Sequence, residues 1–190
     1  MQLCQYKGFN SNYKLNKMTM KEYLLTILFF MTSLCGMSQK HMAFMGIPID
    51  GDARLFRQKL VDTKGFTRES EDVTNGYCLI GKFYDEEANI QINYDPSNHI
   101  VYSVNVYIIK RSTLAVLTIQ RDVLKAVEDK YRYEKRVIDS DLYQYDYYIM
   151  DGLEPIGIIQ TFIVDSKTIP TTKEAMVTFT YVDGENYLNY

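Results

Sequence analysis

The sequence predicts an α+β fold of two tandem α-β-β-β repeats, with the helices packed on one face of an antiparallel sheet. Two observations favour this fold. Apolar residues recur at three- and four-residue spacing in two segments, which indicates two amphipathic helices. Each of these segments is followed by three runs rich in β-branched and aromatic residues, which indicates strands. A helix followed by antiparallel strands buries one sheet face and leaves the other for water or a partner.

A processing segment is predicted to precede the fold. Lys21 stands before the apolar run Tyr23–Leu34 and a stretch of small residues, a pattern typical of a secretory signal peptide over residues 20–38. The run is about 12 residues long, shorter than the ~20 that a membrane-spanning helix needs, so the protein is predicted not to be transmembrane. We predict cleavage between Ser38 and Gln39 and export to the periplasm or out of the cell.

Two alternatives concern this N-terminal region. Cys35 could carry a lipid anchor, but Leu34 stands before it where a lipoprotein signal has a small residue, so soluble export is favoured. Residues 1–19 are either an extension from a mis-assigned start codon, with Met20 as the true start, or an unusually long signal n-region. Residues 1–38 carry four of the 21 basic and one of the 24 acidic side chains, so residues 39–190 are acidic, with a net charge of −6.

The first predicted repeat covers residues 39–110. Asp50-Gly51-Asp52 opens a helix with Ala53, Phe56, Leu60 and Val61 on one stripe, and Gly65 ends it after Lys64. The turn sequence Asp95–Asn98 joins the second and third strands into a hairpin. The predicted strands are Tyr77–Tyr84, Asn89–Tyr94 and Ile100–Ile109.

The second predicted repeat covers residues 111–190. Its helix extends from about Thr113 to Tyr131, and its strands are Leu142–Met150, Gly157–Val164 and Ala175–Val182. The two halves match in detail: Asn89–Asp95 corresponds to Gly157–Asp165, and each of these segments ends in an Asp. Two units of this size would each be marginal alone, which favours one shared core.

Composition and missing motifs exclude several functions. The 46% hydrophobic and 24% charged residues are typical of a folded domain, and the net charge of −3 argues against nucleic-acid binding. The two histidines, His41 and His99, have no cysteine or second histidine at ligand spacing, so we predict no metal site and no cofactor. The chain has no phosphate-binding loop and no nucleophile elbow, which disfavours an enzyme. A catalytic pair of carboxylates meets in space and not in sequence, so it stays an open alternative.

Tyrosine is the most distinctive residue type, with 14 of the 17 after residue 38. Strand alternation places Tyr143, Tyr145 and Tyr147 on one face of a predicted strand. Tyrosine rings give contact area at low entropy cost, so this row is our candidate for binding a partner. The alternative is that the same tyrosines cover the core under the helix, with their hydroxyls at its rim.

A resemblance follows from residues near the start of the first repeat. The segment Phe44–Gly51, followed by Phe56, Leu60 and Lys64-Gly65-Phe66, is similar to the beginning of small uncharacterised exported proteins of Bacteroidetes. The order of helices and strands also resembles that of beta-lactamase inhibitory protein and of outer-membrane assembly lipoproteins. That resemblance implies protein binding through the exposed sheet face, but it rests on element order alone. The chain departs from the inhibitors in lacking paired cysteines after residue 38.

The leading hypothesis is an exported, non-enzymatic module that binds a protein partner through an aromatic sheet face or its loops. The first alternative is a small hydrolase or inhibitor-like effector that acts on peptides or glycans. The second alternative is an envelope protein that associates with itself through an open sheet edge. A shallow aromatic face would favour binding, whereas a concave pocket with two converging ionisable groups would favour an enzyme.

Overall fold

One antiparallel sheet of eight strands organises the described part of the chain. The computed structural model describes residues 41–68, 76–165 and 174–188, which all lie in the unit Gln39–Tyr190. The strand order is β3-β4-β5-β6-β10-β9-β8-β7, and a short hairpin of β1 and β2 lies outside this sheet. The strands are β1 Ala43–Phe44, β2 Ile47–Pro48, β3 Thr67–Arg68, β4 Gly76–Phe83, β5 Glu86–Tyr94, β6 Val101–Lys110, β7 Arg132–Asp139, β8 Gln144–Asp151, β9 Glu154–Val164 and β10 Ala175–Asp183.

Two long helices cover one face of this sheet, as predicted. Helix α1 (Ala53–Lys64) begins at Asp52, whose side chain accepts hydrogen bonds from two backbone amides, and it ends at Gly65 in the left-handed conformation. Helix α2 (Thr113–Lys130) buries an apolar stripe against β6, β9 and β10. A short helix, α3 (Gly184–Leu188), follows the last strand. No helix in these described ranges is both long and apolar enough to cross a membrane.

The α+β class is confirmed, but the strand count after each helix differs from the prediction. Four strands follow α1 and four follow α2, rather than three. The two-residue β3 and the whole of β7 are absent from the predicted strands. Strand β7 is a sheet edge in which six of the eight side chains are exposed. Its sequence therefore lacks the alternation of apolar and polar residues that a half-buried strand shows.

The two groups of strands meet at their last members. Strands β6 and β10 pair antiparallel from Ser103 opposite Val182 to Lys110 opposite Ala175. Alternate residues of both strands, including Val104, Val106, Phe179 and Tyr181, are buried on the helix-covered face. These residues belong to one cluster of buried side chains that includes members of both groups of strands. The predicted hairpin between β5 and β6 is also present, and its turn is closed by the His99 amide donating to the Asp95 carbonyl at 2.7 Å.

Several expectations fall on residues that the structure does not describe. These are the extension 1–19, the signal peptide 20–38, the cleavage site between Ser38 and Gln39, and the lipid anchor at Cys35.

Asp183 joins the start of the described chain to its end. Its side chain is 0% exposed and accepts hydrogen bonds from the Met42 amide at 2.8 Å and the Asn186 amide at 2.9 Å. The second bond caps α3, and His41 Nδ1 lies 3.2 Å from the same carboxylate. Because a buried carboxylate needs several donors, this arrangement holds the segment before β1 against the end of β10.

Replacing Asp183 should therefore destabilise the fold strongly. We expect Asp183→Ala to lower the free energy of unfolding by about 3 kcal/mol, since it leaves buried donors without an acceptor and removes a helix cap. Chemical denaturation of the variant and of the exposed Asp129→Ala variant would measure the difference. Equal stability of the two variants would contradict this role for Asp183.

Candidate functional site

The three tyrosines predicted as a binding row all line one groove between α2 and the outer strands β7 and β8. The groove has a volume of about 670 Å³. Tyr143, Tyr145 and Tyr147 line its sheet side, and Lys135 of β7 lies beside them. The opposite wall is the outer side of α2, with Leu117, Leu124, Lys125 and Glu128. We call this feature the tyrosine groove.

The groove exists because α2 lies over the middle of the sheet. The helix contacts β6, β9 and β10, whereas β8 and β7 lie further out. A helix is about 10 Å wide and neighbouring strands are about 4.8 Å apart, so one helix covers little more than two strands. The two outermost strands on this side therefore extend beyond the helix and leave a concave strip.

The leading hypothesis expected an exposed aromatic sheet face. The tyrosine row instead lies on the face that the helices cover. Tyr145 and Tyr147 lie opposite Thr161 and Ile159 of β9, on the side that carries α2. Tyr147 is only 1% exposed, whereas Tyr143 is 37% exposed and precedes β8 with φ 51°. The row thus runs from an exposed rim to a buried floor. Partner binding by these three tyrosines stays a prediction.

The Tyr147 hydroxyl is tied to the helix. It donates a hydrogen bond to Glu128 Oε1 at 3.2 Å. Burial raises the pKa of Tyr147 well above its ordinary value, and the neighbouring Glu128 carboxylate raises it further because an ionised phenol would be repelled. The hydroxyl is therefore a donor at neutral pH, and the bond fixes the width of the groove at this point.

Gln120 fixes the other end of the groove. Its side chain is 3% exposed, and its amide group donates to the Tyr143 carbonyl at 2.8 Å and to Thr161 Oγ1 at 3.1 Å. These bonds hold the loop before β8 against α2. Gln120 lies among the apolar residues that α2 buries. A polar residue on the apolar stripe of a helix is the sequence pattern that could have indicated its role.

Lys135 is a second residue that the sequence analysis missed. Its ammonium lies 4.4 Å from the centroid of the Tyr145 ring and 5.2 Å from that of Tyr147. Such a cation over aromatic faces gains electrostatic attraction from the rings. Lys135 could not be assigned to the groove without β7, because the pairing of β7 with β8 places Lys135 directly opposite Tyr147.

The ionisable groups of the described residues are not arranged as a metal site. No group of three or more His, Cys, Asp or Glu side chains within residues 41–68, 76–165 and 174–188 is placed to hold a metal ion. His41 lies beside Asp183, and His99 lies in the turn between β5 and β6. Glu128 and Asp129 line the groove but are adjacent on α2, so their carboxylates point in directions about 100° apart and do not form a facing pair.

Comparisons with known proteins do not assign this chain to a family. No protein-family model matches it, and neither a curated protein nor a solved structure shows a significant match.

Substitutions of Tyr147 should separate its ring from its hydroxyl. We expect Tyr147→Ala to lower the free energy of unfolding by about 3–5 kcal/mol through the cavity it leaves, and Tyr147→Phe by about 1 kcal/mol. Thermal or chemical denaturation would measure both. Similar losses for the two variants would show that the hydroxyl, not ring packing, dominates.

The raised pKa of Tyr147 also predicts a pH dependence. Above pH 10.0, the ordinary tyrosine value, the unfolded chain ionises at this position while the folded protein does not. Stability is therefore full below that pH and falls as the pH rises above it. The free energy of unfolding of Tyr147→Phe should fall less steeply with pH above this value than that of the wild type. Chemical denaturation at a series of pH values would measure both slopes, and equal slopes would contradict the raised pKa.

Proposed function

We propose that this chain is an exported, non-enzymatic protein-binding module that binds an extended segment of its partner along β7 and the tyrosine groove. The observation that carries the proposal is the position of the groove beside a sheet edge. A partner strand added to that edge would place alternate side chains over Lys135 and the tyrosines. Aromatic side chains next to a strand edge supply contact area, and the edge supplies main-chain hydrogen bonds.

Strand β7 suits such an addition. It pairs with β8 on one side and is the last strand of the sheet. Val137 and Ile138 near its end are 57% and 42% exposed. An edge strand presents backbone donors and acceptors to a second chain, and charged side chains limit which chains can pair with it.

The charges near the edge favour an acidic partner. Arg132, Lys135 and Arg136 lie on β7. Strand alternation places Lys135 on the helix-covered face, where Lys125 of α2 also lines the groove, and places the two arginines on the opposite face. None of these four cations has a carboxylate within 4.0 Å among the residues that the structure describes. The chain after residue 38 is acidic overall, so this edge differs in charge from the rest of the protein. A partner segment with acidic residues at alternate positions would place them on the groove side of the sheet, where they would pair with Lys135 and Lys125.

The same charges argue against a second copy as the partner. Antiparallel pairing of β7 with itself has two registers of longest overlap that keep the helix-covered faces on one side. One places Lys135 opposite Lys135, and the other places Arg136 opposite Arg136. Like charges directly opposite each other destabilise a strand pair. The self-associating alternative is therefore less well supported than a different partner.

The tandem arrangement belongs to this proposal as well. We infer that α1 with β3–β6 and α2 with β7–β10 are two copies of one unit, because the corresponding strands follow in the same order and the last strands pair with each other. In the first unit, the Arg57 guanidinium lies 3.9 Å above the Tyr77 ring of β4. The proposed partner site, formed by β7 and the tyrosine groove, would then belong to the second unit.

Binding of defined peptides tests the proposal. The probe is a labelled peptide of alternating Glu and Val, and its matched control has Lys in place of Glu. We expect saturable binding of the Glu peptide and chemical-shift changes in the amides of β7. Lys125→Glu with Lys135→Glu should weaken binding on the order of tenfold or more, because two cations on the groove side of the sheet become anions that repel the peptide.

A charge-matched control keeps the test specific. Arg54→Glu with Lys59→Glu changes two exposed cations of α1 by the same amount, so it should leave affinity within a factor of about two. If both double variants weaken peptide binding equally, the effect comes from the net charge of the protein and not from contacts at the groove. Shift changes in the uncovered sheet face instead of β7 would place the binding site elsewhere.

A further inference from the structure

A second concave feature lies on the other side of α2, and it goes beyond the proposed function. It is a pocket of about 370 Å³ between the β1–β2 hairpin, the turn joining β4 and β5, and the last turn of α2. Its apolar walls include Met45, Phe83 and Val127. The volume falls in the lower part of the range that small-molecule sites occupy.

Tyr181 supplies a hydroxyl group to this pocket. The residue lines the pocket from the helix-covered face of β10 and is 4% exposed. Within the described ranges its hydroxyl has no hydrogen-bond partner. This differs from Tyr147, whose hydroxyl is paired with Glu128. The hydroxyl is not among the fully buried atoms that lack a partner, so it is accessible from the pocket and can donate to an acceptor on a ligand.

Two more tyrosines and two lysines surround the same space. Tyr84 and Tyr131 line the pocket, and both act electrostatically on Tyr181. Burial raises the pKa of Tyr181, so its hydroxyl stays protonated and can donate. Lys82 and Lys130 also line the pocket, against the single carboxylate of Asp85. The polar side of the pocket therefore presents donors and a net positive charge.

The turn that carries Tyr84 is itself strained. Tyr84 and Asp85 have φ values of 49° and 65°, the left-handed region that glycine and asparagine usually occupy in a two-residue hairpin turn. The Tyr84 ring packs edge-on against Phe83, with 4.8 Å between centroids. The turn thus keeps an aromatic side chain beside the pocket at a position where glycine would relieve the backbone strain.

We propose that this pocket binds a small monocarboxylate with an apolar body. The apolar body would lie against Met45, Phe83 and Val127. The carboxylate would accept hydrogen bonds from the Tyr181 hydroxyl and pair with Lys130. A neutral ligand of the same shape would leave the cations without a counter-charge, and a larger anion would exceed the volume.

Titration of the whole chain with two probes tests the assignment. The probes are 1-naphthoate, which is aromatic and fluorescent, and octanoate, which is linear. We expect saturable, one-to-one binding of at least one of them, and the comparison distinguishes the two shapes. Absence of saturable binding of both probes would overturn the proposal. The neutral analogue 1-naphthalenemethanol should bind at least tenfold more weakly than naphthoate, the loss of one charged hydrogen bond, and equal affinity would overturn the anionic assignment.

Variants locate the site and separate binding from folding. Tyr181→Phe should weaken binding about tenfold without lowering the midpoint of thermal unfolding, because the hydroxyl it removes has no protein partner. Lys130→Gln should weaken binding of the carboxylate but not of the neutral analogue. Tyr187→Phe, at a tyrosine that is 56% exposed, is the matched control and should bind as the wild type does.

The outcome is independent of the peptide-binding proposal. Lys125→Glu with Lys135→Glu should leave naphthoate affinity unchanged, since both residues line the tyrosine groove and neither lines the pocket. If Tyr181→Phe and Tyr187→Phe bind naphthoate equally well, or if the groove double variant loses naphthoate binding, the pocket is not the site.

Discussion

The pairing of β6 with β10 is the constraint on which the rest of the structure depends. It joins strands that are far apart in sequence, so its loop-closure cost must be met by burial on both sides of the junction. Helix α2 provides that burial by packing over both strands. Valines, phenylalanine and tyrosine from the paired strands form one layer beneath it, including Val104, Val106, Phe179 and Tyr181. Neither group of four strands would bury a comparable face alone.

The position of α2 over this junction also explains both concave features. A single helix cannot cover eight strands, so space remains on each side of it. On one side β8 and β7 extend outward and form the tyrosine groove with Leu124 and Glu128. On the other side the β1–β2 hairpin and the β4–β5 turn approach Val127 and Lys130 and enclose the smaller pocket. The two sides differ in chemistry: the Tyr147 hydroxyl donates to Glu128, whereas the Tyr181 hydroxyl makes no hydrogen bond with the residues that the structure describes.

Sequence patterns predicted every element that buries a regular stripe. Helix α1 follows from Asp52, Phe56, Leu60 and Gly65, and the central strands follow from their β-branched and aromatic runs. Strand β7 did not follow, because an exposed edge strand needs no apolar alternation. The candidate site was predicted in part. Alternation grouped Tyr145 with Tyr147, but it could not tell which sheet face α2 covers, and Glu128, Gln120 and Lys135 reach the groove only through tertiary packing.

The sequence by itself determined the α+β class, two long helices, most strands and the tyrosine row, because propensity and periodicity are local properties that survive in any arrangement of the elements. Tertiary structure alone decided that the last strands pair, that eight strands form one sheet, and that the tyrosines line a groove beside α2 on the helix-covered side of the sheet. It also decided that the Tyr147 hydroxyl reaches Glu128 of α2. These outcomes depend on contacts between residues distant in sequence, whose energies no local pattern contains.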